Sequence, residues 1–427
     1  MRLRMFQSGK GDCLLLSNAA NTGRILVDGG MPAAYRDHVA PAMGRLRQGR
    51  RKLDLVYVSH IDQDHIGGIL GLLNDEVSWR VHKFQTEEAN PRNPDHPVPS
   101  VPRPPQIDAI WHNAFHEMVE DNEGEVERLL AAAAPVLSGS DLVDLKKLGE
   151  RQSDLVQSIR EAIQVSRRIG PKQLGIPLNA QAGGKLMMRR EGQAPVVIGG
   201  MSIRILGPTS KELTRLRKDW NKWLEQNQKA LETIRNQAQE DQTRLGLSEF
   251  QRLVRHFSLQ AERFGNPAEV TPPNLASLTL LVEEQGRSIL LTGDARGDQI
   301  VEGLQAVGGP ASGGRFEVDV MKVPHHGSEN NVDRAFCDAV IARDYVFCGN
   351  GEHENPDLRV VRLMAERRLA VPGPFKFWFN SSEAVTQAGE PAAHMKAVEE
   401  LVRDLARGSR GRMKFKFLTS GSSLAVS

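Results

Sequence analysis

The stretch VSHIDQDHIGG, residues 58–68, constrains this chain more than any other. It places His60, Asp62, Asp64 and His65 within six positions, directly after the apolar run LDLVYV. That run reads as a buried strand, and the carboxyl ends of such strands are where α/β sheets place their chemistry. Imidazoles and carboxylates together suit Zn²⁺, Mn²⁺ or Fe²⁺. In extended geometry His60, Asp62 and Asp64 project to one side, and His65 swings in where IGGILGLL (66–73) starts a helix.

Three further strand ends carry polar groups. The segment SLTLLVEEQGRSILLTGD (277–294) reads as a hairpin around EEQGR and ends in Asp294, which alone would be a turn residue. FEVDVMKVPHHGS (316–328) is a strand ending in His325 and His326. DYVFCGNGEHENPD (344–357) is a strand ending in a polar loop with His353 and Asn355, which reads equally as a turn before Pro356.

The surrounding pattern alternates between strands and helices. CLLL (13–16) and RILVDGG (24–30), split by SNAANTG, form a hairpin. IDAIWHN (107–113) and PVVIGGMSIRILGP (195–208) add short strands, and FKFWFN and MKFKFL close the chain around a helix near 391–407. The proline-rich stretch 81–106 is a loop or an extended crossing. Residues 115–170 and 210–246 have helical patterns; the second is polar all round in its middle, as an exposed or partner-contacting helix would be. Trp220 and Trp223 read as core anchors of that block.

The chain has 427 residues, 40% hydrophobic and 25% charged, as expected of a globular protein that buries a core. A net charge of +2 does not by itself demand a nucleic-acid partner. Cys13, Cys337 and Cys348 form no CxxC pair, so a reduced, cytoplasmic compartment is expected. The N-terminus lacks a signal-peptide pattern, and no run of about 18 apolar residues predicts a membrane span.

Taken together the motifs resemble the metallo-β-lactamase superfamily, whose HxHxDH follows a buried strand and is joined by a bridging aspartate and a late histidine. Here the motif is HxDxDH, with Asp62 where the second histidine stands. SHxDxDHxGG with LLTGD and HHGS is most similar to the soluble domain of the bacterial DNA-uptake (competence) channel protein and its free-standing relatives. GKGDCLLL and ILVDGG fit the same pattern. The resemblance covers about 1–80 and 275–357.

The resemblance implies an α/β fold, an αββα sandwich with a large helical insertion. The core would occupy 1–114 and 261–427, and the mainly helical insertion 115–260. It implies two divalent ions, Zn or Mn. His60 and Asp62 would hold one, Asp64 and His65 the other; Asp294 would bridge, and His326, followed by Gly327, would complete the second site. His325 would lie beside the substrate phosphate or donate a proton, with His353 a second donor and Asp64 the third residue of the reaction. Asp28 would orient a ligand histidine or its loop. Asn274 and Ser277 stand in the region of the family's intermediate histidine, and Asn355-Pro356 where relatives carry His-Pro. Asp62 and the missing histidine make the first site carboxylate-rich and open, which suits Mn²⁺.

The expected function is a metal-dependent hydrolase, a phosphodiesterase or nuclease. A lactone, thioester or amide hydrolase would use the same centre, and a scaffold or sensor would use the helical insertion to bind a protein partner. The basic stretch RDLARGSRGRMKFK (403–416) would contact a phosphate backbone if it is more than a solvated helix end. The insertion is expected to wall the substrate cleft, with Arg189, Arg190, Arg215 or Arg217 on phosphates.

Overall fold

The computed structural model describes residues 1–86, 92–113, 161–162, 164–214, 277–309 and 314–426. Most of the first helical block, the second block beyond 214 with Trp220, Trp223, Arg215 and Arg217, and Asn274 lie outside the described residues.

The strands in chain order are β1 (Arg2–Phe6), β2 (Leu14–Ser17), β3 (Arg24–Val27), β4 (Leu55–Tyr57), β5 (Ile110–Trp111), β6 (Val196–Ile198) and β7 (Met201–Gly207). They continue as β8 (Thr279–Glu284), β9 (Arg287–Leu291), β10 (Phe316–Lys322), β11 (Val340–Phe347), β12 (Phe375–Phe379), β13 (Met413–Phe417) and β14 (Ser423–Val426). Among the described residues they form a six-stranded sheet, β14-β1-β2-β3-β4-β5, and an eight-stranded sheet, β13-β12-β11-β10-β9-β8-β7-β6. Strands β3, β4 and β5 pair in parallel, as do β9 through β13, so their carboxyl ends gather on one side of each sheet.

Period-two alternation separates the faces. Leu14, Leu16, Ile25, Val27, Leu55 and Tyr57 of the first sheet meet Ile203, Ile205, Leu280, Val282, Ile289 and Leu291 of the second in one core. The intervening Leu26 and Val56 face the other way, against helices α1 (Ala40–Gln48) and α2 (Gln63–Thr86). Leu281, Leu290, Tyr345, Phe347 and Phe377 pack against α3 (Gly297–Ala306), α4 (Arg334–Ala339), α5 (Leu358–Leu369) and α6 (Glu390–Gly408). The layering is helices, sheet, sheet, helices. No helix among the described residues is long and apolar enough to cross a membrane.

The hairpin of β8 and β9 turns at Gln285 and Gly286, both at positive φ, which matches the twist of the strands it joins. The helix after the ligand motif starts earlier than expected. The Asp62 carbonyl accepts from the His65 and Ile66 amides, so α2 begins at Gln63 and Asp64 lies in its first turn, not in an extended segment. A carboxylate there also complements the helix dipole. The same helix runs to Thr86, because VHKFQT holds no proline or glycine, and so takes the first residues of the expected loop. Strands β1 and β14 were not expected: MRLRMF alternates arginine with apolar residues and pairs on both sides, with β2 and β14.

Two glycine pairs explain the GG in both VDGG and HIGG. A Cβ on Gly68 would lie 2.0 Å from the Gly29 carbonyl oxygen, and one on Gly29 would lie 2.3 Å from the Ile69 nitrogen. The bare backbones let Gly29 donate to the His65 carbonyl at 2.7 Å and Gly68 to the Gly30 carbonyl at 2.9 Å. The first turn of α2 is thereby held against the end of β3.

Candidate metal centre

The strand ends deliver their side chains to one buried pocket. Asp28 follows β3, His60 follows β4, Asp294 follows β9, and Lys322, His325 and His326 end β10. Asp64 and His65 come from the first turn of α2, and Asp12 from the turn between β1 and β2. His325 and His326 both take left-handed backbone angles, φ 45° and 55°. Such angles cost non-glycine residues roughly 1–2 kcal/mol each. They persist because the turn is tied on several sides: His325 donates its amide to the Gly293 carbonyl at 3.2 Å, and Ser328 donates to the His325 carbonyl at 2.8 Å.

Four imidazoles point at one oxygen. The Nε2 atoms of His65 and His326 lie 3.4 Å from Asp294 Oδ2, and those of His60 and His325 lie 3.6 Å from it. Asp64 Oδ2 stands 3.3 Å from His326 Nε2, and Asp62 Oδ2 3.5 Å from His60 Nε2. Each ring is held from behind through Nδ1. His65 meets Asp28 Oδ2 at 3.0 Å, His326 meets Asp12 Oδ1 at 3.1 Å, His325 meets Asn331 Oδ1 at 2.6 Å and His60 meets Ser59 Oγ at 3.0 Å. Carboxylate or amide oxygens on the rear nitrogens of His65, His326 and His325, and a hydroxyl on that of His60, fix ring orientation, which is how metal-ligating histidines are usually supported. His60 Nε2 is buried and has no hydrogen-bond partner, although the pocket surrounds it with acceptors and lone pairs. A divalent cation satisfies such a donor set where another hydrogen bond would not.

Asp12, His65, Asp294 and His326 each offer an atom within 4.8 Å of the others, a group that could hold a metal ion. Asp12 stands at the rear of it. Its two oxygens are engaged by His326 Nδ1 and by the ammonium of Lys322, while Asp64 and Asp62 face the Nε2 side.

The electrostatics follow from packing opposite charges out of water. Burial alone would raise the carboxyl of Asp12, but Lys322, then His326 and His65, bring it down to about 2. Burial likewise opposes ionisation of Asp64 and Asp294, yet the imidazoles hold both carboxyls below their ordinary range. Burial would lower His65 and His326, and the carboxylates, Asp294 foremost, hold both well above the ordinary imidazole value. His325 goes the other way: burial dominates and lowers it.

The structure brings His60, Asp62, Asp64, His65, Asp294, His325 and His326 together, with Asp28 behind them. Asp28 also accepts from the Ser59 amide at 2.7 Å, which ties the end of β4 to the end of β3. Ser277 Oγ accepts from the Asp294 amide at 3.2 Å. The Asn355 carbonyl lies under Gly349, whose Cβ would meet it at 3.1 Å and His326 Cβ at 3.5 Å. His353 is exposed and makes no hydrogen bond or ion pair with the cluster. In the basic C-terminal stretch Arg403 pairs with Glu399, Arg407 with Asp404, and Arg412 binds the Leu369 and Val371 carbonyls. Arg189 pairs with Glu302 and Arg190 is exposed. The described end of the first helical block reaches the ligand loop, where Gln63 donates to buried Glu161 at 3.0 Å.

Sequence reasoning missed Asp12, Ser59, Lys322 and Asn331. Asp12 sits inside GKGDCLLL, and Lys322 ends the strand in VDVMKVP, whose apolar run gives no reason to keep a lysine.

Residues 9–143 match the family model of the metallo-beta-lactamase superfamily. The match spans Asp12, Asp28 and the whole HIDQDH motif and ends before Asp294 and His326. No curated protein matches the chain.

Proposed function

We propose that this chain is a metal-dependent hydrolase whose substrate is a phosphodiester, in the manner of a phosphodiesterase or nuclease. The observation that carries the reading is the convergence of four imidazole Nε2 atoms on Asp294 Oδ2, each ring fixed through its other nitrogen. His60, Asp62 and Asp294 would hold one divalent ion, and Asp64, His65, His326 and Asp294 a second. Bound there, the pair supplies Lewis acidity toward water and toward an anionic phosphoryl group.

His325 fits a ligand better than an acid. Asn331 Nδ2 donates to the Asp294 carbonyl at 2.8 Å, which fixes its amide and turns Oδ1 to His325 Nδ1. The ring therefore keeps its proton on Nδ1 and presents a lone pair on Nε2. It supplies a nitrogen that the HxDxDH motif, with Asp62 in place of a histidine, does not. This fourth nitrogen shifts the donor set toward Zn²⁺ relative to a carboxylate-rich site.

The phosphodiester assignment draws on the likeness of SHxDxDHxGG, LLTGD and HHGS to the DNA-uptake proteins, and on the match of an anionic substrate to paired cations. Buried free thiols at Cys13, Cys337 and Cys348 support a reducing, cytoplasmic setting. The test is metal analysis of the purified protein, then turnover of bis-p-nitrophenyl phosphate with Mn²⁺ and Zn²⁺ added separately. Lactone and p-nitrophenyl ester substrates run in parallel distinguish the bond cleaved. Absence of bound metal and of metal-stimulated turnover on every substrate would sink the reading.

A further inference from the structure

We propose that Lys322 is a built-in cation of the centre, which holds the metal-free pocket in shape and leaves Asp294 a single metal-facing oxygen. The inference rests on the metal-hydrolase reading. Lys322 ends β10 and is 1% exposed. Its ammonium meets Asp12 Oδ2 at 2.5 Å, the Gly293 carbonyl at 2.9 Å and Asp294 Oδ1 at 3.3 Å. These acceptors use the full donor capacity of the group.

The contacts close a ring. Asp12 gives one oxygen to Lys322 and the other to His326 Nδ1; Asp294 gives one oxygen to Lys322 and the other to His326 Nε2 at 3.4 Å. Rotation of any one of the four side chains breaks two contacts. Asp294 is therefore divided: Oδ1 belongs to the protein's own cation and Oδ2 to the imidazoles and whatever they bind. Asp12, Asp28 and Asp294 are each buried to 2% exposure or less, with Asp64 beside them. Without Lys322 the His65 and His326 imidazoles alone would have to offset the repulsion of these carboxylates out of water. The pocket would then lean on a divalent ion to close, which couples stability to metal.

A lysine that merely fills space predicts something different. Its loss would destabilise the protein equally with and without metal. The experiment compares the wild type with Lys322→Met and Lys322→Arg, each stripped with chelator and then titrated with Zn²⁺ or Mn²⁺, by thermal melting. Metal-free Lys322→Met should melt about 5–10 °C below the metal-free wild type. Saturating metal should close more than half of that gap, because the ion replaces the missing charge. Lys322→Arg keeps the charge and should stay near the wild type in both states. If Lys322→Met does not fold when stripped, refolding from denaturant with and without metal gives the same information: metal-dependent recovery supports the inference, and failure in both overturns it. An equal gap with and without metal, no gap at all, or Lys322→Arg behaving as Lys322→Met also overturns it. A wild type whose melting does not respond to either metal would instead sink the hydrolase reading, and the stripped Met and Arg variants would still judge Lys322.

Discussion

Asp12 Oδ1 lies 3.1 Å from Nδ1 of His326, so a carboxylate from the first turn of the chain orients an imidazole 314 residues later. The ring cannot swing without losing that bond, and its Nε2 is thereby kept toward Asp294. Supporting partners of this kind change metal affinity by about 10–100-fold when removed. Asp12→Ala is therefore expected to weaken metal binding by about that factor in calorimetric titration of the stripped protein. Unchanged affinity would mean that His326 does not depend on Asp12 or does not bind metal.

Asp64→Ala should abolish metal-dependent hydrolysis and leave the fold largely intact. The carboxylate stands in the first turn of α2, 3.3 Å from His326 Nε2, and its side chain is 16% exposed at the rim of the pocket. It packs no apolar core. Circular dichroism should match the wild type, while turnover of bis-p-nitrophenyl phosphate falls to the uncatalysed rate. Wild-type turnover in this variant would refute its place in the centre.

What was legible in the sequence was whatever lies close along the chain. His60, Asp62, Asp64 and His65 stand out because they are contiguous after a strand, and β8, β9 and β10 because their apolar runs end in Asp294 and His326. The start of α2 was misplaced because the alternation of HxDxD reads as extended, although Asp62 is a residue type that favours the position just before a helix. Asp12, Ser59, Asn331 and Lys322 were illegible for a different reason. Each matters only through a partner brought in by the fold: Asn331 through His325, Ser59 through His60 and Asp28, Lys322 through Asp12. A lysine in an apolar strand looks like a solvent-facing residue until two buried carboxylates are found on its ammonium.

Gly68 tests whether close backbone approach places the ligands. Gly68→Ala should lower stability by about 1–3 kcal/mol in urea unfolding, because its Cβ would strike the Gly29 carbonyl and force α2 from β3. Helix propensity alone predicts the opposite sign, a gain of up to about 1 kcal/mol. Gly408→Ala supplies the control. It ends α6 with nothing within 4 Å of its Cβ, and should be neutral or slightly stabilising. Destabilisation at both sites, or at neither, would remove the close-approach argument.

Stability of the stripped protein should depend on pH in a way that metal reverses. His65 and His326 are both held above the ordinary imidazole value against the pull of burial, chiefly by Asp294. A group whose folded value is raised contributes fully below its unfolded value, about 6.5, and that contribution is lost as pH rises toward the folded value. Asp12, Asp64 and Asp294 are held low, so their contribution is present above about 4 and lost as pH falls toward their folded values. His325 is lowered by burial, so its contribution is lost as pH falls below about 6.5. The stripped protein is therefore expected to be most stable toward the upper end of about pH 4–6.5 and to weaken on going to about pH 9. Metal binding needs unprotonated nitrogens, so it releases protons and strengthens over the same range. Thermal melts with chelator and with Zn²⁺ or Mn²⁺ should diverge as pH rises, the stripped curve falling while the metal-bound curve holds. A metal-induced rise in melting temperature that stays constant from about pH 6 to 9 would show that these imidazoles do not exchange protons for the ion.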